Sequence, residues 1–325
     1  MASTPLPSKI AAIGISQTGD VDVIQNLDLP FPSPTPTQFV IKVEYAGVNF
    51  LDVQLRNGNF PVPALPTALG VEAAGTIVAL PTDPALLNSE AFQKRGFKLG
   101  GKVACFGLAA GTFAEYTLAA PPAVLPLPPS VPPRVGAASL VQGLTALTFA
   151  SEPRGLCKQR GAVVIGTTST AEKAAVAREH GADHVILYRD EDVAARVLEI
   201  TEGSGVHAIF DGVGKDTFET NLKAIRAKGT IVAMGSASGR IAAFDPKLLY
   251  PKNVKFVYPS ATMYVQDPEN GRDYGQELVD LLASGAVKPV VGKEYPFTAE
   301  GVAQSQKDLA EGRSVGKLLI KVASE

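Results

Sequence analysis

The sequence predicts an α/β protein: a β-rich part followed by a doubly wound parallel sheet. Three observations predict it. The first 130 residues carry β-branched, apolar runs punctuated by Gly and Pro. Beyond residue 137, short strands alternate with helical patterns. Those strands are apolar along their whole length, the mark of a parallel sheet covered by helices on both faces.

The early strands are "FVIKVEYAGV", "EAAGTIVAL", "KVACF" and "FAEYTLA", with the proline-rich "PFPSPTPTQ" before the first. "PPAVLPLPPSVPPRVGA" (residues 121–137) is a stiff, extended passage and marks a domain boundary. "AASLVQGLTALTFA" reads as a helix closed by Pro153. "AVVIGT" is a strand. Ser169 reads as the N-cap of the next helix, with Glu172 completing a capping box, and Gly181 ends it. "HVILY" is a strand, and "DEDVAARVLEIT" puts Val193, Val197 and Ile200 on one helical face. "HAIFDGV" is a strand. "TFETNLKAIRAK" reads as a helix with Phe218, Leu222 and Ile225 together, stopping at Gly229. "TIVAMG" and "VKFVYP" complete the strands. The last 65 residues hold one helix, "GQELVDLLASGAV", and a final strand, "GKLLIKV", in the manner of the first domain. Expected domains are therefore 1–130, 131–260, and 261–325 returning to the first.

Composition narrows the function. The chain has 325 residues, 46% apolar and 19% charged, with a net charge of -2. That balance gives no electrostatic reason to expect nucleic acid or an anionic membrane as partner. No apolar run approaches the roughly 20 residues that span a bilayer. "MASTPLPSKI" has neither an apolar signal core nor an Arg-rich amphipathic pattern, so a cytoplasmic location is expected. Cys105 and Cys157 are the only cysteines; they exclude a disulfide framework and a four-cysteine zinc site, and both read as bystanders.

A doubly wound dinucleotide domain begins strand, glycine turn, helix, strand, with pyrophosphate on the turn and the helix N-terminus. Between "ALTFA" and "AVVIGT" lie only the residues "SEPRGLCKQRG". A strand, a tight turn and a helix need roughly 25 residues. The first strand, its phosphate turn and most of its helix are therefore expected to be absent. The other reading makes "AVVIGTTST" itself the first strand and turn, with a single glycine. The hydroxyl-rich "TTST" suits the end of a second strand better, where it receives the 2′-phosphate of NADP. An NAD site would place an Asp or Glu near the ribose, and none lies between Gly166 and Thr170.

The stretches "YAGVNFLDVQLRNGNFP", "PTALGVEAAGTIV", "GTFAEYTLAA", "LVQGLTALTF", "VIGTTSTAEKAAVAREHGADHVI", "FDGVGKDTFETNLKAIRAKGTIVAMGSASG" and "SVGKLLIKV", taken in order, resemble the zinc-free quinone oxidoreductases of the medium-chain dehydrogenase/reductase superfamily, similar to zeta-crystallin. The resemblance implies a GroES-like β-rich catalytic domain around a Rossmann-type domain. It also implies that a strand and an alanine/glycine-rich turn have been cut out between "GLTALTF" and "GTTST". Gln54 stands where the family usually has a tyrosine, and Val71 where relatives often have threonine. Zinc-dependent cousins have a histidine beside Glu72 in "GVEAAG"; none is present here.

The resemblance implies the site residues. Asn49 would lie beside the nicotinamide ribose and the hydride path; otherwise it is a turn residue. Thr145 would face the nicotinamide phosphate, or is simply a Thr bonded to its own helix. Gly166, Thr167, Ser169 and Lys173 are the 2′-phosphate candidates, since hydroxyls and an ammonium suit a dianion. Tyr188 and Arg189 would flank the adenine, or are surface residues. Gly235, Ser236 and Ser238 follow the C-terminal end of a strand, where ligands of open α/β sheets bind, and Ser260 is a weaker candidate. Asp52 and Arg56 read as a structural pair. The implied chemistry is hydride transfer from NADPH to a quinone or enone, without a metal and with no evident general acid. A homodimer is an expected assembly. An enoyl or alkenal reductase of the same superfamily, and a binding variant that has lost its coenzyme, are the alternatives.

Overall fold

The computed structural model describes residues 7–62, 64–107, 111–149, 161–266 and 273–323. Cys157, and the stretch 150–160 where the absent strand is expected, lie outside them. The chain divides into two compact units, residues 1–144 with 271–325, and residues 145–270.

The first unit opens with β1 (Lys9–Ile15), β2 (Ile24–Pro30) and β3 (Phe39–Gly47), followed by helix α1 (Phe50–Arg56). Then come β4 (Thr67–Ala68), β5 (Glu72–Ala79), the short helices α2 (Pro84–Leu87) and α3 (Glu90–Arg95), β6 (Lys102–Phe106), β7 (Tyr116–Ala119) and β8 (Val124–Pro126). Helix α4 (Pro133–Phe149) carries the chain across the division, which falls between Leu144 and Thr145. The proline passage thus does not part the two units: its first half packs into unit one as β8 and a 3-10 turn.

In the second unit β9 (Ile165–Thr168), α5 (Ala171–Glu179), β10 (His184–Leu187), α6 (Val193–Ile200), β11 (Val206–Asp211), α7 (Phe218–Ala224), β12 (Ile225–Ala233), β13 (Lys255–Val257) and α8 (Ala261–Gln266) follow in order. The chain then returns to the first unit as α9 (Tyr274–Ala283), β14 (Val291–Pro296), α10 (Ala299–Ala310) and β15 (Lys317–Lys321).

The main sheet of unit one runs β14-β15-β3-β5-β6-β8, with β7 also on β3, and a smaller sheet runs β2-β1-β4. Alternation along β3 and β5 sends Phe39, Ile41, Val43, Ala73 and Ile77 into one core with Phe113 and Leu318. In unit two every strand pairing among the described residues is parallel. Among the described residues the strands form two parallel ladders, β10-β9 and β11-β12-β13.

Four local expectations need correction. The N-cap of α5 is Thr170, whose hydroxyl accepts from the Lys173 N–H at 3.3 Å; Ser169 is buried one residue earlier. Helix α7 stops at Ala224, because the β-branched Ile225 turns extended and pairs with Val206. The Lys252 ammonium then donates to the carbonyls of Leu222, Lys223 and Ile225, at 3.0, 2.8 and 2.7 Å. The C-terminal segment holds α8 and α10 besides α9. Asp52 and Arg56 do not pair: Arg56 binds Gly19 O, Asp20 and Gln306 instead.

Candidate functional site

The buried polar centre of unit one is built where β3, β5 and β15 meet. Gly47 at the end of β3 lies opposite Glu72 at the start of β5. A Cβ on Gly47 would stand 2.5 Å from Glu72 Oε1 and 2.6 Å from Ala137 O, so only glycine lets the carboxylate and α4 approach here. Glu72 is fully buried and forms an ion pair with Lys317, the first residue of β15. Its other oxygen, Oε2, accepts from the Val141 N–H at 2.9 Å.

Asn49, the N-cap of α1, completes the cluster. Its Nδ2 donates to Glu72 Oε1 at 2.7 Å and to Gly47 O at 3.3 Å. Its Oδ1 accepts from Gln142 Nε2 at 2.8 Å and from Lys317 Nζ at 2.9 Å. All four hydrogen-bonding positions of the amide are therefore in use. Asp52 accepts the Asn49 backbone N–H at 2.7 Å. Burial pushes the Asp52 carboxyl up to about 7, against the pull of that N–H and of the Lys317 charge. Val71, next to Glu72, faces the apolar core. Among the described residues no three His, Cys, Asp or Glu side chains are grouped to hold a metal ion. Cys105 is fully buried, which pushes its thiol up to about 12 and makes it inert.

Sequence reasoning missed Lys317, Gln142 and the central place of Glu72. One signal was present: a lone Glu in the apolar run "GVEAAGTIVAL" must be paired if that run is a buried strand. Its partner lies 245 residues away, and no local pattern identifies it.

The second set of candidates lies at the C-terminal ends of the strands of unit two. Gly166 and Thr167 are on β9; Thr167 is exposed, while Ser169 is buried. Lys173 sits in the first turn of α5. Tyr188 directly follows β10, is exposed, and donates its N–H to Thr168 O at 3.0 Å. A cavity of about 1740 Å³ brings Gly166, Thr167 and Tyr188 together with Asp211, Gly212 and Val213. Ser169, Lys173, Thr145, Gly235, Ser236 and Ser260 are not among its lining residues.

Gly235 packs on the turn after β11, where a Cβ would stand 2.5 Å from Gly212 O. The Ser238 hydroxyl joins the same two turns, donating to Val213 O and accepting from the Asp216 N–H. Ser236 is half-buried beside them, Ser260 is exposed just before α8, and Thr145 is half-buried in α4.

Asp211, also missed, ends β11 and is 4% exposed. Its Oδ1 accepts the Val213 and Gly214 N–H groups at 2.8 and 3.2 Å; its Oδ2 accepts from Thr217 and Asn221. This is a glycine-bearing turn ahead of a helix, the form that holds phosphates elsewhere. Here its amides are already taken by a carboxylate, whose charge repels an anion.

A phosphorylated dinucleotide therefore fits this chain in part. Thr167 and the N-terminus of α5 with Lys173 suit a 2′-phosphate. The pyrophosphate has no cradle among the described residues, because the glycine turn beside the cavity is spent on Asp211.

Comparison with known proteins agrees with both halves of the chain. Residues 35–129 match the alcohol dehydrogenase GroES-like domain, and residues 155–284 match the family described as zinc-binding dehydrogenase. A quinone oxidoreductase of Pseudomonas aeruginosa is 30% identical over 325 aligned residues, covering 93% of this chain and 96% of its own. A probable quinone oxidoreductase of Schizosaccharomyces pombe is 34% identical over 331, covering 95% and 96%. The solved structure of Escherichia coli quinone oxidoreductase complexed with NADPH is similar with a TM-score of 0.84 at 26% identity, covering 96% of this chain and 99% of that one.

Proposed function

We propose that this chain, which belongs to the quinone oxidoreductase family of the zinc-free medium-chain dehydrogenases/reductases, is an NADPH-dependent quinone oxidoreductase whose coenzyme site is half built. The observation that carries the activity is the likeness to quinone oxidoreductases over more than nine-tenths of the chain. NADPH, when bound, supplies the hydride.

The chain's own residues have two tasks. Thr167 on β9 and Lys173 in the first turn of α5 distinguish NADPH from NADH: they offer a hydroxyl and an ammonium to the 2′-phosphate, with no acid between Gly166 and Thr170 to bind a ribose hydroxyl pair. Glu72 and Lys317 fix the orientation of the Asn49 amide, so that any contact it makes with coenzyme or acceptor is made by a group already immobilised. Such a contact would replace Gln142 or Lys317 on Oδ1.

The test is a fluorescence titration with NADPH and with NADH, followed by turnover with a benzoquinone and with an alkenal. NADPH should bind more tightly, and Lys173→Ala should weaken NADPH more than NADH. The quinone should be the better acceptor. Equal affinity for the two coenzymes, or faster turnover of the alkenal, would refute the reading. A cytosolic location and a homodimer belong to the same proposal and are tested by cell fractionation and light scattering.

A further inference from the structure

We infer that the second unit of this chain lacks the central strand of its sheet, and that the cavity between β9 and β11 is the vacant seat of one parallel strand with its phosphate turn. The strand order leads there first. A doubly wound dinucleotide sheet has the order 3-2-1-4-5-6. The described strands read β10-β9, then β11-β12-β13, all parallel. Placed in sequence order on that template, they occupy positions 3, 2, 4, 5 and 6. Among the described residues no strand takes the first position, the one between β9 and β11.

The cavity stands at that position. Ile165, Gly166 and Thr167 of β9 line it on one side, and Val206, Ala208, Ile209 and Phe210 of β11 on the other. Among the described residues β9 pairs only with β10, and β11 only with β12. Burial follows the same division. Ile231, Val232 and Ala233 of β12, flanked on both sides, are fully buried. Ile209 and Phe210 of β11, which is paired on one side only among the described residues, are half-buried, and Ile165 of β9 is half-buried as well. A strand seated between them would cover these side chains and pair both inner edges.

Chain length agrees independently. The connection from the end of α4 to the start of β9 is residues 150–164, too short for a strand, a turn and a helix, which need roughly 25 residues. The Pseudomonas alignment runs over 325 positions, yet 93% of this 325-residue chain is about 302 residues, so about 23 positions have no residue here. The Schizosaccharomyces alignment runs over 331 positions against 95%, or about 309 residues, leaving about 22. These are totals over the whole alignments, and they leave room for a strand, a glycine turn and part of a helix. The seat therefore takes an extended apolar segment parallel to β9 and β11, and its turn supplies the pyrophosphate amides that the turn after β11 withholds.

This inference rests on the proposed NADPH chemistry only for its coenzyme consequence, and the experiment separates the two. Two chains are compared: the chain as it is, and one in which a strand, a glycine turn and part of a helix, about 23 residues in all, are inserted ahead of β9. Amide hydrogen exchange is read at β9 and β11, and NADPH affinity by fluorescence. In the restored chain, exchange at both inner edges should slow at least about tenfold and NADPH affinity should rise about a hundredfold. If the shorter chain is insoluble and the restored one is not, the vacancy is equally supported. Inner-edge amides that are already protected in the shorter chain, or a restored chain no more protected or soluble than the shorter one, would overturn it. Protection gained without NADPH binding or quinone turnover would uphold the vacancy and sink the proposed activity.

Discussion

Lys317 and Glu72 are the residues on which unit one can be tested most sharply. Both are buried, and each neutralises the other inside the sheet. Removing one partner of such a pair leaves an uncompensated charge and costs about 3–5 kcal/mol, whereas replacing both is often nearly neutral. Lys317→Met should therefore destabilise urea unfolding by about that amount, and adding Glu72→Gln should recover a large part of it. A double variant as damaged as the single one would deny the pair its role. Asp52 makes a second prediction. Its carboxyl lies at about 7 when folded, against 3.8 as the ordinary value. A raised pKa means that the folded state binds the proton more tightly. Its stability contribution is thus whole below about pH 4 and is lost as pH rises through about 7, by up to about 4 kcal/mol. Asp52→Asn keeps an oxygen for the Asn49 N–H and has no proton to lose, so its stability should fall less over that window. Chemical denaturation of both proteins from pH 4 to pH 8 measures the difference.

Helices α5 and α10 show why some elements are legible in a sequence and others are not. Helix α5 announces itself through a cap hydroxyl, an acid in the first turn and a glycine after its end; only which hydroxyl caps was misread, since Ser169 and Thr170 are adjacent. Thr170→Ala should cost about 0.5–2 kcal/mol, the usual value of an N-cap, with thermal unfolding as the measurement. Helix α10 carries the same three marks, Thr298 at its N-cap, Glu300 in its first turn and Gly312 after its end, but its apolar face is hard to see. Its buried face includes Ser305, Gln306 and Asp308, so "AEGVAQSQKDLA" reads as polar on every side. Those residues are inside because partners from elsewhere meet them: Arg56 bonds Gln306, while Tyr295, Lys293 and Arg313 bond Asp308. The Tyr295 hydroxyl, foremost among them, holds the Asp308 carboxyl below its usual range.

The two units should not unfold together. Unit one has a continuous core from Ile13 through Phe39 and Phe113 to Ile320. In unit two the strands beside the cavity are half-buried, and among the described residues no strand pairs with their inner edges. Calorimetry should resolve two transitions, the earlier one in unit two, with limited proteolysis cutting first within residues 145–270. A single sharp transition would contradict this. Excess NADPH should raise the first transition only slightly, because ligand stabilisation scales with the logarithm of concentration over Kd.

Local periodicity by itself determined the β-rich first part, the alternation of strands and helices after it, and the hydroxyl-and-lysine set at the end of β9. These are short-range properties: a strand's apolar run or a helix's capping residue acts on neighbours a few positions away. Even the expectation of a lost strand came from counting residues between two elements. Tertiary structure decided the rest. It joined Glu72 to Lys317 and Asn49, spent the amides after β11 on Asp211, and split the parallel strands into two ladders around a cavity. Each of these depends on which distant group arrives to pair with a buried charge or an open strand edge, and nothing in a local stretch of sequence carries that.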